Sequence, residues 1–208
     1  NNNNGGTIYN GGIINNSGTI NNNDGGKIYS QGTINNNNGG TINNNYGGYI
    51  RNYDTSASHA QFHNYSGGAI NNNHGGEIDN GPFCDSGCEG TKNSRFYNHY
   101  GGAISNGGTI NNNVYAFLYN SGIIKNNDGG TINNNYKARL ENSGEINNNN
   151  GGTFTLTGPS GWMVNVGTIN NKNIINIRGS SDTIFDNGGT INNDGTINNY
   201  DDAIIENV

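Results

Sequence analysis

Charge is scarce in this chain: 12% of its 208 residues are Asp, Glu, Lys or Arg, roughly half the usual share. With only 9 Lys and Arg and a formal net charge of -6, the clustered basic surface that phosphate binding requires is missing, which excludes nucleic acid as a partner. No apolar run is long enough to span a membrane as a helix. Hydrophobic residues make up 29% of the chain, a level that by itself suggests disorder.

A repeat overturns that suggestion. The sequence is rich in glycine (36 residues) and about a quarter of it is asparagine. Aligned at a period of 20 to 22 residues it places isoleucine in one column throughout: Ile8, Ile28, Ile50, Ile70, Ile104, Ile124, Ile146, Ile169 and Ile191. A period of that size is the signature of a solenoid, whose thin coils need one apolar residue per side to fill a narrow shared core. Each coil reads as three short extended sides, as in GGTIYN, GGIINN and SGTINN, with Ile inward and its flanking residues outward. A second inward column is expected at Ile14, Ile34, Ser56, Ile78, Ile110, Ile132, Phe154, Ile175 and Ile197. The third is Ile20, Ile42, Phe62, Phe96, Leu118, Leu140, Val164, Ile184 and Ile204. Two residues beyond the first column, Asn10, Ser30, Asn52, Asn72, Asn106, Asn126, Asn148, Asn171 and Asn193 also point inward at a bend. There, stacked amides satisfy one another and the corner carbonyls. The glycine doublets supply the positive backbone angles of tight corners.

These features specify an all-β chain, 1–208, forming a single three-sided solenoid of about nine coils. Coils of 20 to 22 residues are too irregular for the six-residue unit of left-handed hexapeptide helices. They resemble right-handed parallel β-helix proteins, and the GTINN and GGTINNN units resemble the repeat regions of bacterial and archaeal adhesin-like surface proteins. The resemblance implies an extracellular location and an architecture; it carries no activity.

Three segments break the pattern, near 51–66, 79–100 and 155–166, and loops that leave a rigid scaffold commonly carry binding residues. The second contains both cysteines, in FCDSGCEG. A Cys84–Cys88 disulfide is expected for an exported chain; the alternative is a zinc site recruiting His59, His63, His74 or His99. No cofactor or metal is required by the spacing. Catalysis by related folds needs clustered carboxylates, and only Glu77 and Asp79 flank one Ile, so no catalytic residue is assigned. Outward Thr-x-Asn pairs such as Thr33/Asn35 and Thr131/Asn133 raise ice binding, but Ile13, Glu77/Asp79 and Ile174 interrupt them. Asn15 and Asn64 stand in Asn-x-Ser sequons and are candidate glycosylation sites.

The third side is expected to carry an outward stripe of Tyr97, Phe117, Tyr119, Met163 and Phe185 with Arg95 and Arg139 interleaved, suited to lateral packing or to a glycan. The chain opens directly in repeat sequence, as a processed secreted protein would, and no capping segment is visible at either end. The expected function is therefore a non-enzymatic subunit of an extracellular filament that polymerises with itself head to tail. Its assembly ends are Ile8, Ile14 and Ile20 against Ile191, Ile197, Ile204 and Ile205. The alternative is an adhesin-type module gripping a glycan or a cell surface through the aromatic side.

Overall fold

A computed structural model describes residues 1–54, 59–82 and 93–208. Among these there is no helix; 26 strands, most of them four residues long, form three parallel sheets of nine, nine and eight strands. The chain visits the sheets in rotation, so successive strands of one sheet belong to successive turns. The molecule is a three-sided β-solenoid of about eight complete turns and two sides of another. The first sheet runs from Thr7–Asn10 to Thr196–Asp201, the second from Ile13–Asn16 to Ile204–Asn207, and the third from Thr19–Asn22 to Thr190–Asn193.

The four-residue unit explains itself. Alternation sends the second and fourth residues inward, and the burial of Thr41–Asn44, Thr109–Asn112 and Thr131–Asn134 follows that pattern. The second residue is apolar and fills the core; Phe62 stacks on Phe96 there at 4.7 Å between ring centres. The fourth is asparagine. Asn126 donates to Asn148 Oδ1 at 2.8 Å and to the Thr153 carbonyl at 2.9 Å, joining the next turn and satisfying a carbonyl that the corner would otherwise bury unpaired. Each of the three corners has such a ladder. Outward-facing asparagines stack too, but in the opposite direction: Asn43 donates back to Asn21 and Asn133 back to Asn111. Inner amides donate toward later turns and outer amides toward earlier ones, so the two sets of side-chain dipoles oppose one another.

Glycine doublets do two separate jobs. Gly47 has φ +77° and follows Tyr46 at φ 45°, a pair of left-handed residues that turns the chain from one sheet to the next. Gly48 has an ordinary angle, but a Cβ there would lie 2.3 Å from the Asn22 carbonyl oxygen of the preceding turn. The first glycine is needed for conformation and the second for close stacking.

The structure corrects several expectations. The column that begins Ile8, Ile28, Ile50 continues at Ile78, in register with Ile50, and not at Ile70, which pairs with Ile42 in the third sheet. The expected columns therefore slip by one side in the third turn. The cause is the length of the excursions: the stacked asparagine is 22 residues on in regular turns, as at Asn126, but 28 on at Asn52 and 32 on at Asn80. Ser56 lies outside the described residues. In the second sheet Met163 and Phe185 are fully buried, whereas Val164, Ile184 and Ile204 occupy outward positions. The segment 155–166 is not an insertion; it comprises part of the strand Thr153–Thr157, a short turn and the strand Trp162–Asn165.

Candidate functional site

The outer face of the second sheet carries a run of half-buried aromatic and imidazole groups. Register places His63, Tyr97 and Tyr119 one above another in successive turns. Their rings stack nearly parallel, His63 on Tyr97 at 4.7 Å and 2°, Tyr97 on Tyr119 at 5.0 Å and 9°. Immediately past these strands Tyr65 stacks on His99 at 4.6 Å and 3°. Phe117 lies beside Tyr119, 5.8 Å away and 5° from parallel. The stripe continues through Arg139, whose guanidinium sits 4.3 Å from the Trp162 ring centre while its Nε lies 2.6 Å from Glu141 Oε1. A parallel sheet sets neighbouring side chains at about the 4.8 Å strand spacing, so flat rings one turn apart stack with little adjustment.

Within the stripe His63 Nδ1 is 3.0 Å from His99 Nε2, and His63 Nε2 is 2.9 Å from Gln61 Oε1. Burial, then the neighbouring His99, pushes the His63 imidazole down to about 4, and burial also lowers His99. Both rings are therefore neutral at pH 7.

A different cluster stands on the outer face of the first sheet. Tyr49 donates to Asp79 Oδ2 at 2.6 Å, and Asn111 donates to both Asp79 Oδ1 and Glu77 Oε1, at 2.9 and 3.0 Å. Burial raises the Glu77 carboxyl above its usual range, helped by the adjacent Asp79. Asp79 is itself 3% exposed although it points outward. Asp54, also buried, accepts from the Ala60 and Asn93 backbone and from Ser94 Oγ. It thereby ties both flanks of the first excursion to the residues that follow the second.

Of the expected site residues, the structure brings Tyr97, Phe117 and Tyr119 together on one face. Phe185 is excluded from it, being completely buried in register with Met163. Asn15 is exposed, with its side-chain Oδ1 accepting from the Asn35 amide. Asn64 has no exposure, and its amide donates to Asn98, Gly68 and Ala103; a glycan at that position is incompatible with the folded coil. Cys84 and Cys88 lie outside the described residues. Ile14, Ile20, Ile191 and Ile197 pack partly buried against the core, and Ile8 and Ile205 are 37% and 42% exposed. Among the described residues no group of three or more His, Cys, Asp or Glu is placed to hold a metal.

The fold and this face define a class: a parallel β-solenoid built on asparagine ladders with an aromatic side. No family model matches the sequence, and no curated protein does either. Among solved structures, a hyper-glycosylated fragment of TibA, modified by TibC, is similar at 15% identity over 96% of this chain and 99% of that one, with a TM-score of 0.25. A superposition that loose has no bearing on function.

Proposed function

We propose that the protein is a non-enzymatic structural subunit of an extracellular or cell-surface fibre, in which copies add end to end by continuing the coil stack. The observation that carries this reading is the polarity of the inner ladders. Asn72 donates to Asn106, Asn106 to Asn126 and Asn126 to Asn148, so every turn offers amide donors to the turn after it and acceptors to the turn before. Two copies meeting in register complement each other on the core, the strand edges and the amides together, and such a heterologous contact propagates instead of closing. Charge favours the same orientation: Asp182, Asp186, Asp194, Asp201, Asp202 and Glu206 follow Arg178 with no further Lys or Arg, whereas in the early turns Lys27 and Arg51 are balanced by Asp24 and Asp54, so head-to-tail contact avoids bringing two acidic ends together. Negative-stain microscopy and sedimentation test the proposal. Filaments with an axial repeat of roughly 43 Å are expected from about nine strand spacings, and Ile197→Glu with Ile205→Glu should reduce them to short rods. Filaments unchanged by that pair would overturn it.

A second reading has its own observation. The stacked rings of Tyr97, Tyr119 and Phe117 form a half-exposed aromatic surface, which suits an adhesin-type contact with a glycan or another cell. Under that reading Tyr97→Ser with Tyr119→Ser abolishes surface attachment while leaving assembly intact.

A further inference from the structure

We infer that the outer face of the first sheet carries, in its last three turns, a binding site for a single carboxylate group, formed by Thr155, Asn176, Arg178 and Tyr200. The inference is independent of both the fibre and the adhesin readings.

A widening of the sheet creates the site. The described strands have four residues and two outward positions each, except Thr153–Thr157, Ile174–Gly179 and Thr196–Asp201, which have five or six. Leu156 and Ile177 stand at the fourth position of the first two, both completely buried, and the chain stays extended past them. A third outward column results. It consists of Thr157, Arg178 and Tyr200 in register, beside the column Thr155, Asn176 and Asn198. Between the two columns lies a cleft of about 160 Å³ lined by Thr155, Thr157, Asn176, Arg178 and Tyr200.

The lining holds donors that the protein itself does not use. In a regular outward column each asparagine amide donates to the asparagine of the earlier turn, as Asn133 does to Asn111 and Asn198 to Asn176. Before Asn176 that place is taken by Thr155. Among the described residues the Asn176 Nδ2 therefore has no acceptor, and Thr155 Oγ1 and the Tyr200 hydroxyl are likewise unspent. The exposed Arg178 guanidinium sits over the Tyr200 ring, 4.9 Å from its centre, with no carboxylate paired to it among the described residues. Thr157 alone is engaged, donating to Asn135 Oδ1 at 3.2 Å as the wall of the cleft.

Unspent donors around one guanidinium select an anion, and the planar guanidinium fork matches the two oxygens of a carboxylate. Strand rise and turn spacing set Asn176 about 6.6 Å from Arg178 and about 4.8 Å from Thr155 at the backbone. Across that span one carboxylate accepts from all three side chains at about 2.7–3.0 Å. Charge limits the anion to one unit. A single cation lines the cleft, while Asp201 and Asp202 follow Tyr200 directly and the chain has a net charge of -6, so a dianion would keep an unneutralised charge in an acidic neighbourhood. The carboxylate is either free or carried on a sugar. Tyr200, 39% exposed, offers its ring to the carbon skeleton of the second and has nothing to add to the first.

The test follows the Asn176 side-chain amide in heteronuclear NMR spectra of the intact protein, titrated at constant ionic strength with acetate, glucuronate, sulfate and neutral glucose. Saturable shifts with acetate and glucuronate are expected, and none with glucose. Equal affinity for the two carboxylates assigns the site to a free carboxylate. Glucuronate tighter by roughly tenfold, with the surplus lost in Tyr200→Ala, assigns it to an acidic sugar. Arg178→Gln, a change at an exposed position, should weaken binding of either by roughly tenfold or more, and Thr155→Val by about two- to tenfold. Failure of both carboxylates to saturate, an equal response to glucose, tighter binding of sulfate, or unchanged affinity in Arg178→Gln overturns the site.

Discussion

The first and third sheets are built from the same four-residue unit, yet the third keeps its asparagine ladder unbroken from Asn2 to Asn193 and the first does not. In the first sheet the ladder stops at Asn134, because the next two positions are Leu156 and Ile177, both completely buried. Where asparagine sits at the fourth position the strand ends there. Where Leu or Ile replaces it the strand runs on, to Thr157 in one turn and to Gly179 in the next. The difference shows what the inward asparagine does: it supplies the donors that make an abrupt corner tolerable, and without it the backbone keeps its ladder partners by staying extended. Asn199 is the instructive exception, since its strand extends to Asp201 by pairing along Ile174–Gly179.

Leu156→Asn is the harshest way to break that comparison. If residue type alone set the corner, it would repair the ladder, because Asn134, which now spends its amide on the Ala138 and Trp162 carbonyls, would regain a side-chain partner. We expect instead a loss of about 3–5 kcal/mol, from emptying a closed apolar position and placing an amide beside Ile177. A gain in urea midpoint would show that the corner follows the residue. The reverse change, Asn106→Leu in the third sheet, should cost roughly 2–4 kcal/mol by orphaning Asn126 Oδ1 and the Thr131 carbonyl. An unchanged melting temperature would remove the ladder from the account of stability.

A milder change sharpens the contrast within the first sheet. Asn10 donates to Ser30 Oγ at 3.0 Å, but the short serine does not reach down to Asn52, whose buried Oδ1 has no partner. Ser30→Asn should therefore stabilise by about 1 kcal/mol, read as a higher urea midpoint at constant slope. A neutral or negative result would mean that the first-sheet corner at that turn has no room for the longer amide.

Much of this was legible in the sequence, and the misreadings have a common source. The apolar columns and the inward asparagines are visible because every coil must obey the same stacking geometry. Register failed where it was counted by period, since the excursions after Asn52 and Asn80 change the period without changing the fold. A better marker was present: the inward apolar residue stands two places before the inward asparagine on nearly every side. Reading Met163 with Asn165, Phe185 with Asn187 and Ile205 with Asn207 puts these residues in their observed places. The same rule marks Asn64 as a ladder residue and so removes it as a glycosylation site. The His63–His99 pair was not legible, because 36 residues and an excursion separate them and nothing local announces that they meet.

The smallest expected effect separates the outer faces of the first two sheets by the sign of their pH dependence. On the first, the Glu77 carboxyl is raised above 4.5 by burial and by Asp79, so the folded state holds a proton that the unfolded chain has released. That contribution is fully present below pH 4.5 and is lost as pH rises through the folded value. On the second, His63 falls from 6.5 to about 4, so its contribution is complete above pH 6.5 and is lost as pH drops toward 4. Melting temperatures measured from pH 4 to pH 8 should thus lose, in Glu77→Gln, the component that falls as pH rises from 4.5. In His63→Gln they should lose the component that falls as pH drops from 6.5 toward 4. Because both groups are partly open to water the shifts are small, and direction is the informative quantity. Slopes indistinguishable from the parent in both variants would mean that neither outer cluster is coupled to folding, and the two faces would then differ only in what they display.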